Sequence, residues 1–582
     1  MILPLAVLLC LSVTPFLATE TKAANPGPFF SIGILAPNTN PARNQWATLM
    51  VEQLPKIGIE VETFDHTGWA QISPRTWGHP GPYPIPTYAE GGYDILFVGN
   101  GWGLDFDPTG VFTTDGITPA GDNFYQYSSA AMDNAVGNYS QAFVFADRME
   151  YAREIQELLL EDQPSIALVY ETSLFPHVET LEGWDPLLWA SEYQPMENWE
   201  IPGETEFHYA SPADFEDFHP WLYESVYDAE WLTQIYNGMI QRDPSNNYAY
   251  GPRIATDFSS TDGLTYSVNL DPDAKWSDGE QITTDDIIYN YQLGVTPSLG
   301  LTTYSFNTLY WDNDSITKIS DTEFTIEFLQ TYVFQEGNLA NSLLPEHIWS
   351  AIDPADHGSQ AVEWAKNNPE NFVGSGPFYL YDYDATNQVI HLKANEYFED
   401  WFGSAPKFDD VFFEFYGSKE GALSALASGA IDMLDYNFKA LISEMNIAGA
   451  TYTLVDDPGN QEMAMNMEHP YMGTGELCPI AGEESAKHIR KAISHMIPRE
   501  IICDEILEGL GVPGVTHWPK ASVGFDETLD YYEYSIDLAL QHMKDAGFDV
   551  TLTNTGDIGI VVFMSILSLA GAIQVIFLKK RK

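Results

Sequence analysis

Apolar and polar positions first alternate in the way expected of a layered α/β structure. Residues 29–36, 59–64 and 93–99 are short apolar runs typical of strands, whereas 43–58 and 143–162 carry apolar residues at helical spacing. Strands and helices in this order predict a largely parallel sheet with helices on both faces.

The pattern then changes twice. Residues 189–205 are polar and contain proline, which predicts a linker. From 207 to about 435 the chain is β-rich, and helical spacing returns from 436 to 552. The clearest strand-like runs are 264–270, 322–329, 376–383 and 388–394, and the clearest helices are 487–496 and 535–548. The chain is therefore predicted to contain more than one folded unit.

Both ends of the chain are strongly apolar. Residues 1–24 resemble a secretory signal peptide, with small residues at the end of an apolar run. Residues 558–578 form an uncharged stretch of 21 residues, and four basic residues follow it. This length predicts a transmembrane helix. We expect a single-pass protein of the cell membrane, whose body is extracellular and whose basic tail is cytoplasmic.

Composition narrows the classes of function. The 582 residues include 84 Asp and Glu against 25 Lys and Arg, a formal net charge of −59. Such a surface repels phosphate backbones and argues against nucleic-acid binding. The 13 histidines are scattered, without a pair at zinc-site spacing, and the motifs of common hydrolases and nucleotide-binding enzymes are absent. The sequence therefore predicts neither an enzyme nor a metal or cofactor site. Cys478 and Cys503 are compatible with one disulfide.

Residues 253–293 carry a distinctive arrangement of small, aromatic and acidic residues. Its positions are Ala255, Phe258, Asp262-Gly263, Tyr266, Leu270, Trp276, Asp278-Gly279 and Asp285-Asp286. This resembles the signature of the family 5 extracellular solute-binding proteins, the peptide- and nickel-type receptors of ABC importers. The basic residue expected after the leucine is absent, because Asp271 stands there. Further stretches resemble the same family in register: 373–380, 392–416, 422–434 and 488–502.

The order of the matching stretches differs from the family's. Segments that resemble the end of the larger lobe come first in this chain, at 31–64, 101–108, 123–133 and 153–170. The chain therefore resembles a circular permutant, and a fragment of a tandem receptor or a swapped dimer remains open. The implied segments are a signal peptide (1–24), the second half of the larger lobe (25–165), the first lobe with its β-rich subdomain (166–435), the first half of the larger lobe (436–552) and the transmembrane helix (558–578).

The resemblance implies a fold and a ligand site. The fold would be α/β, two-lobed and periplasmic-binding-protein-like (type II), with mixed sheets, a hinge and the C-terminal transmembrane helix. Strands would cross between lobes near 163–166 and 433–437. Asp105 would hold the α-amino group of a peptide, and Trp102 would line the pocket. Asp107 is expected to cap its loop, and the two aspartates point side by side, which argues against a catalytic dyad. Arg499 is a weak candidate for the peptide carboxylate.

Three functions follow from these expectations. The first is a membrane-anchored receptor that captures peptides between two lobes for import and delivers them to ABC transporter permease subunits. The second is an oligosaccharide receptor of the same family, because the chain is rich in aromatic residues. The third is a cell-surface interaction protein, without a transport role, on a degenerate receptor fold.

Overall fold

The computed structural model describes residues 27–38, 41–223 and 225–550. The predicted signal peptide (1–24) and the predicted membrane helix (558–578) lie outside these residues. Within the described part of the chain, no helix combines the length and apolar character needed to cross a membrane.

The strands of the described residues contribute to three sheets. They are β1 (Phe30–Pro37), β2 (Ile59–Thr67), β3 (Ile95–Gly101), β4 (Ser165–Val178), β5 (Glu206–Ser211), β6 (Ile240–Asp243), β7 (Ala249–Pro252), β8 (Ala255–Ser260), β9 (Thr265–Leu270), β10 (Ile316–Lys318), β11 (Glu323–Glu327), β12 (Phe378–Asp384), β13 (Val389–Ala394), β14 (Asp410–Phe415), β15 (Met433–Leu434), β16 (Ala450–Asp456), β17 (Gly459–Met465) and β18 (Gly511–Pro513).

The α-helices vary in length from single turns to five turns. They are α1 (Pro41–Gln53), α2 (Trp69–Ile72), α3 (Thr109–Phe112), α4 (Ala130–Ser140), α5 (Phe145–Asp162), α6 (Pro186–Ser191), α7 (Val226–Leu232), α8 (Thr284–Gly294), α9 (Tyr304–Tyr310), α10 (Glu346–Trp349), α11 (His357–Asn367), α12 (Phe398–Phe402), α13 (Lys419–Ser428), α14 (Glu483–His495), α15 (Arg499–Ile501) and α16 (Ile536–Asp545).

The largest sheet is mixed. Its strand order is β12-β13-β14-β5-β15-β4-β17-β3-β1-β2, and β16 and β18 also pair with β4. β1 is parallel to β2 and β3, whereas β17 is antiparallel to both β3 and β4. A largely parallel sheet is predicted for the first part of the chain, and the edge β3-β1-β2 fits that prediction. In the rest of the sheet, β5 is parallel to β14 and β15, and the other pairs are antiparallel. Because β17 comes from late in the chain, the sheet unites both ends of the described sequence.

Strand β4 links two parts of the molecule. Its first half pairs with β17, and its second half pairs with β16 and β15. We call residues 27–170 and 458–550 the N/C region, and residues 171–457 the middle region. The chain passes between the regions within β4 and again between β16 and β17, near residues 457–458. The second crossing therefore lies about twenty residues beyond the predicted one at 433–437, because β16 still pairs with β4 on the middle side.

Each region has its own apolar cores. In the N/C region, one core packs beneath α1, α14 and α16 and another beneath α4 and α5. Among the described residues of the middle region, one core lies at β5 and β12–β14, one around β8–β11, and one beneath α13, where Leu510 of the N/C region also contributes. Most of the predicted helices and strands are confirmed within a few residues. Cys478 and Cys503 are buried free thiols, so the disulfide is not formed.

The predicted linker is wrong. Residues 189–205 include Trp189, Met196 and Trp199, and all three side chains have no exposed surface. They pack into the core around β5 and β12–β14. Polar residues separate these three side chains in the sequence and hide the apolar pattern. Burial of the large, apolar indole rings anchors the segment to the core.

Candidate functional site

The stretch 93–108 runs from a buried strand into a loop at the junction of the two regions. Tyr93 and the first residues of β3 are buried. Gly103 then takes a positive φ of 73°, a conformation that favours glycine. Because of this turn, the two predicted site residues, Trp102 and Asp105, contact different parts of the molecule.

Trp102 lines a cavity in the N/C region. Its ring nitrogen donates to Asn460 Oδ1 at 2.7 Å, and its backbone N–H donates to the Pro458 carbonyl at 2.9 Å, next to the crossing between regions. The cavity has a volume of about 530 Å³ and lies at the carboxyl ends of β2 and β3. Its lining includes Trp69, Trp77, Trp102, Phe124, Tyr125, Asn100 and Asp122. We call it the aromatic cavity. Carboxyl ends of parallel strands are a common place for ligands.

A buried carboxylate lies behind the aromatic cavity. Glu462 on β17 is fully buried, and it accepts hydrogen bonds from Tyr125 Oη at 2.8 Å and Asn100 Nδ2 at 3.1 Å. Ser165 Oγ donates to its other oxygen at 2.7 Å, and His517 contacts that oxygen as well. Burial, followed by the charge of Glu462, raises the pKa of Tyr125 well above its usual value. This network holds two cavity-lining residues in place.

Asp105 is already paired. Its carboxylate accepts a hydrogen bond from the Arg242 guanidinium on β6, and the two side chains are only 22% and 9% exposed. Arg242 also binds Glu192 at 3.2 Å and lies 4.0 Å from the centroid of the Tyr250 ring. Burial opposes the charge on Arg242, but Tyr250, Asp105 and Glu192 outweigh it and raise its pKa. The predicted anchor therefore joins the N/C region to the middle region.

Asp107 makes two contacts. Its Oδ1 accepts the Thr109 N–H at 2.9 Å, which confirms the predicted loop cap. Its Oδ2 accepts from Tyr332 Oη of the middle region at 2.7 Å. Asp105 and Asp107 therefore bind different residues of the middle region across the junction. We call Asp105, Asp107, Arg242 and Tyr332 the lobe contact.

A second cavity, of about 910 Å³, lies wholly in the middle region. We call it the charged cavity, because its lining includes Asp185, Glu192, Glu197, Arg242 and Arg253. Arg253 Nη1 and Glu197 Oε1 form an ion pair at 2.6 Å, with side chains 1% and 4% exposed. Burial raises the pKa of Glu192, and the charge of Arg242 partly offsets this.

The weak candidate for carboxylate capture, Arg499, is placed elsewhere. Its guanidinium is buried and donates to the carbonyls of Ala167, Ser494 and Tyr532 and to Ser494 Oγ. These contacts join β4, α14 and the segment at Tyr532, and Arg499 lines neither cavity, so the prediction that it binds a ligand is wrong. Arg242, in contrast, was missed, because neither its spacing nor its neighbours in the sequence mark it. Its link to Asp105 spans 137 residues.

Relatives of this chain are distant. A Deinococcus radiodurans protein named "Probable ABC transporter-binding protein" is 24% identical over 385 residues, 62% of this chain and 62% of that protein. The oligopeptide-binding protein AppA of Bacillus subtilis is 24% identical over 351 residues, 57% of this chain and 58% of that protein. The chain therefore aligns with less than two thirds of the length of either relative.

Two solved structures are similar to this chain at low sequence identity. AppA of Bacillus subtilis in complex with a nonapeptide has a TM-score of 0.43 and 18% identity, covering 60% of this chain and 65% of that chain. NikZ of Campylobacter jejuni with Ni(L-His) has a TM-score of 0.44 and 17% identity, covering 60% and 64%.

The family itself is established by its sequence model. The model described as "Bacterial extracellular solute-binding proteins, family 5 Middle" matches residues 249–563, more than half of the chain. The match includes the stretch 253–293, on which the resemblance was first based. This chain therefore belongs to the family 5 extracellular solute-binding proteins.

Proposed function

We propose that this protein is an extracellular solute-binding protein that captures peptides between its N/C and middle regions and delivers them to the permease subunits of an ABC importer. Family membership and the peptide-binding names of its relatives support the proposal. The observation that carries it is the lobe contact, where a carboxylate at the junction already holds a cation. Binding and release, without a catalytic step, are the whole of this role.

The connection between the regions supports closure around a ligand. Two backbone crossings, within β4 and near residues 457–458, join the regions, and a small number of crossings is the usual basis of hinge motion. Trp102 lies beside the second crossing through its bond to Pro458. A change at this crossing would therefore move the wall of the aromatic cavity.

Asp105 is proposed to bind the ammonium group of a peptide in place of Arg242. The ammonium group and the Arg242 guanidinium are both cations that can donate hydrogen bonds to a carboxylate. Such charge-assisted hydrogen bonds are stronger than those between neutral groups. Exchange would release Arg242 toward Glu192, its second partner at 3.2 Å, so that the guanidinium keeps an anion. A ligand ammonium would then take over the charge that Arg242 supplies in this structure.

The decisive experiment compares peptides that differ only in their amino terminus. A peptide with a free amine and its N-acetylated form are titrated against the purified chain by calorimetry. We expect the free amine to bind about 10- to 100-fold more tightly, since a charged hydrogen bond contributes about 1.5–3 kcal/mol. Asp105→Asn is expected to lose this discrimination, whereas Asp107→Asn, its matched control, keeps it.

Two outcomes would contradict the proposal. If no peptide binds to a correctly folded chain, peptide capture is wrong. If Asp105→Asn still prefers the free amine by the same factor, the anchor is another residue. Circular dichroism and thermal melts of each variant establish that both are folded.

The predicted membrane attachment belongs to the same proposal. A helix at 558–578, with the basic tail inside the cell, would hold the body at the outer face, near a permease. Fractionation and protease treatment of intact cells that express the full chain test it. Attachment predicts a membrane-bound protein whose body is digested from outside. A chain ending at residue 550 should be released, and equal membrane binding by both chains would contradict the anchor.

An oligosaccharide is the second candidate ligand, and the aromatic cavity favours it. Trp69 and Trp77 have ring centroids 5.6 Å apart, and Trp77 meets Phe124 edge to face at 5.5 Å. Aromatic faces with a few polar groups at the rim, here Asn100 and Asp122, suit the apolar faces and hydroxyls of sugars. Binding of oligosaccharides and not of peptides, with no effect of Asp105→Asn, would decide for this candidate.

A further inference from the structure

Three polar residues lie together where two helices of the N/C region pack. Helices α14 and α16 share one apolar core, to which Ile489, Ile493 and Met543 contribute. Three residues lie at the edge of this contact: His488 of α14, and His542 and Asp545 of α16. The two helices are distant from each other in the sequence. None of the three lines the aromatic or the charged cavity.

The three side chains converge. His488 Nδ1 and His542 Nδ1 are 2.9 Å apart, within hydrogen-bond distance of each other. One nitrogen from each histidine and an oxygen of Asp545 all lie within 4.8 Å of one another. His542 and Asp545 are three residues apart on one helix, a spacing that places them on the same face.

We propose that His488, His542 and Asp545 form a binding site for a divalent transition-metal ion, with Zn²⁺ the ion that fits best. Two imidazoles and one carboxylate are a common zinc ligand set, and a fourth tetrahedral position would be left for water. Two nitrogens on one tetrahedral zinc lie about 3.3 Å apart, so the pair need open by only about 0.4 Å. The ion would replace the direct hydrogen bond between the two imidazoles.

The neighbouring groups hold the ligands in position. His495 Nδ1 donates to the Glu533 carbonyl at 2.7 Å, and its ring stacks on that of His542 with centroids 5.5 Å apart. Gln541 Nε2 donates to Asp545 Oδ1 at 2.8 Å, which leaves the second oxygen for the ion. Such outer contacts orient ligands in known metal sites.

The rest of the surface favours cations without selecting among them. A net charge of −59 raises the local concentration of any divalent ion. Exposed carboxylates alone prefer Mg²⁺ and Ca²⁺, whereas imidazole nitrogens prefer zinc and its neighbours in the transition series. Selectivity for Zn²⁺ over Mg²⁺ therefore distinguishes this site from the acidic surface.

The test uses the full chain, free of any histidine tag and stripped of metal with a chelator. Zn²⁺ is titrated by calorimetry in excess Mg²⁺, and Co²⁺ is added separately as a spectroscopic probe. We expect one tight Zn²⁺ per chain and the visible absorption of tetrahedral Co²⁺. His542→Ala should weaken Zn²⁺ binding by about 100-fold or more and abolish the Co²⁺ band, and Asp545→Ala should weaken it by about 10-fold.

His66→Ala is the matched control, because His66 is an exposed histidine of β2, outside the cluster. It should bind Zn²⁺ like the unaltered chain. Asp545 is exposed, so its variant remains informative if a histidine variant folds poorly. Equal Zn²⁺ affinity in the unaltered chain, His542→Ala and Asp545→Ala, or Zn²⁺ binding that Mg²⁺ displaces, would overturn the proposal. Neither result bears on the peptide ligand.

Discussion

Trp102, which lines the aromatic cavity, and Asp105, which binds Arg242 of the charged cavity, lie on one short loop. The polar groups of the two cavities are nevertheless held in different ways. Behind the aromatic cavity, Glu462 is surrounded by hydrogen-bond donors from Tyr125, Asn100 and Ser165 and by His517. In the charged cavity, Glu197 depends on the single cation Arg253. The first carboxylate has several partners, and the second has one strong partner in an almost fully buried pair.

The difference indicates which ligand each cavity suits. The tryptophans of the aromatic cavity present apolar faces with few charges, as a sugar or an apolar side chain requires. The charged cavity presents carboxylates and guanidiniums that are already paired, so a charged ligand must compete with Arg242 and Arg253. Competition at the lobe contact is less costly than at the Glu197–Arg253 pair, because Asp105 is 22% exposed and Glu197 only 4%.

The largest expected effect comes from breaking the buried pair of the charged cavity. Glu197→Ala leaves the Arg253 charge buried without its carboxylate, and we expect a loss of about 3–5 kcal/mol in the free energy of unfolding. Chemical denaturation measures it. Asp400→Ala breaks the exposed pair with Lys275 and serves as the control, with a much smaller loss expected. Equal losses in the two variants would mean that burial does not set the strength of this pair.

The next effect concerns pH and the buried histidine beside the charged cavity. Burial, followed by the neighbouring His357, lowers the pKa of His219 to about 3. The folded-state pKa of His219 is below its unfolded value. His219 therefore does not lower the free energy of unfolding above pH 6.5, but it lowers this free energy increasingly as pH falls from 6.5 toward 3. At pH 5 this amounts to about 2 kcal/mol.

His219→Asn tests this cost. The asparagine oxygen can accept the Trp221 N–H that His219 Nδ1 accepts at 3.2 Å, but it does not titrate. We therefore expect the variant to lose less stability than the unaltered chain between pH 7 and pH 5, as followed by thermal melts. His66→Asn, at an exposed position, should lose as much stability between pH 7 and pH 5 as the unaltered chain, so the slope of stability against pH should not change. The same slope in all three chains would contradict the assignment.

A smaller effect decides which cavity holds the ligand. Trp77→Ala removes one wall of the aromatic cavity, and Trp221→Ala removes one of the charged cavity. Loss of an aromatic contact should weaken binding about 10-fold in the cavity that is occupied and leave it unchanged in the other. Calorimetry with the ligand found by the peptide and oligosaccharide comparison gives both values. Equal weakening by both would mean that the ligand spans the junction.

The smallest effect tests competition at the lobe contact. Arg242→Ala frees the Asp105 carboxylate, so a peptide ammonium no longer displaces a resident cation, and affinity should rise by about 3- to 5-fold. A pair of this exposure contributes no more than about 1 kcal/mol, which limits the gain. Tyr332→Phe, the control, removes the bond to Asp107 and leaves Asp105 paired. A gain in both variants would point to loosening of the regions and not to competition.

Much of the fold was predictable from periodicity. The runs 29–36, 59–64 and 93–99 became β1, β2 and β3, and 143–162 became α5, because apolar spacing reports directly which face is buried. The linker at 189–205 was not predictable in this way, because its indoles are separated by polar residues. The sequence order that suggests circular permutation remains a prediction. The pairing of β3 with β17 shows only that both ends of the described chain share one sheet.

The site was predictable in part. The sequence marked Asp105 and Trp102 through a resemblance, and their role in binding remains a prediction. The cap at Asp107 followed from local chemistry, because a carboxylate accepts an N–H two residues on. The sequence could not predict the contacts of Arg242 with Asp105, of Tyr332 with Asp107 or of His488 with His542. Nothing in the spacing of these residues indicates that they lie close together in the fold.

The sequence alone determined the family, the elements of the sheets and the acidic character of the surface, because local periodicity, signature residues and charge are properties of the chain itself. Only the tertiary structure decided the partners of the charged groups. It placed Arg242 on Asp105, Arg499 among backbone carbonyls, and histidines from two helices side by side. The reason is physical: the state of a charged side chain depends on burial and on neighbours within a few ångströms, and folding brings those neighbours from distant parts of the chain.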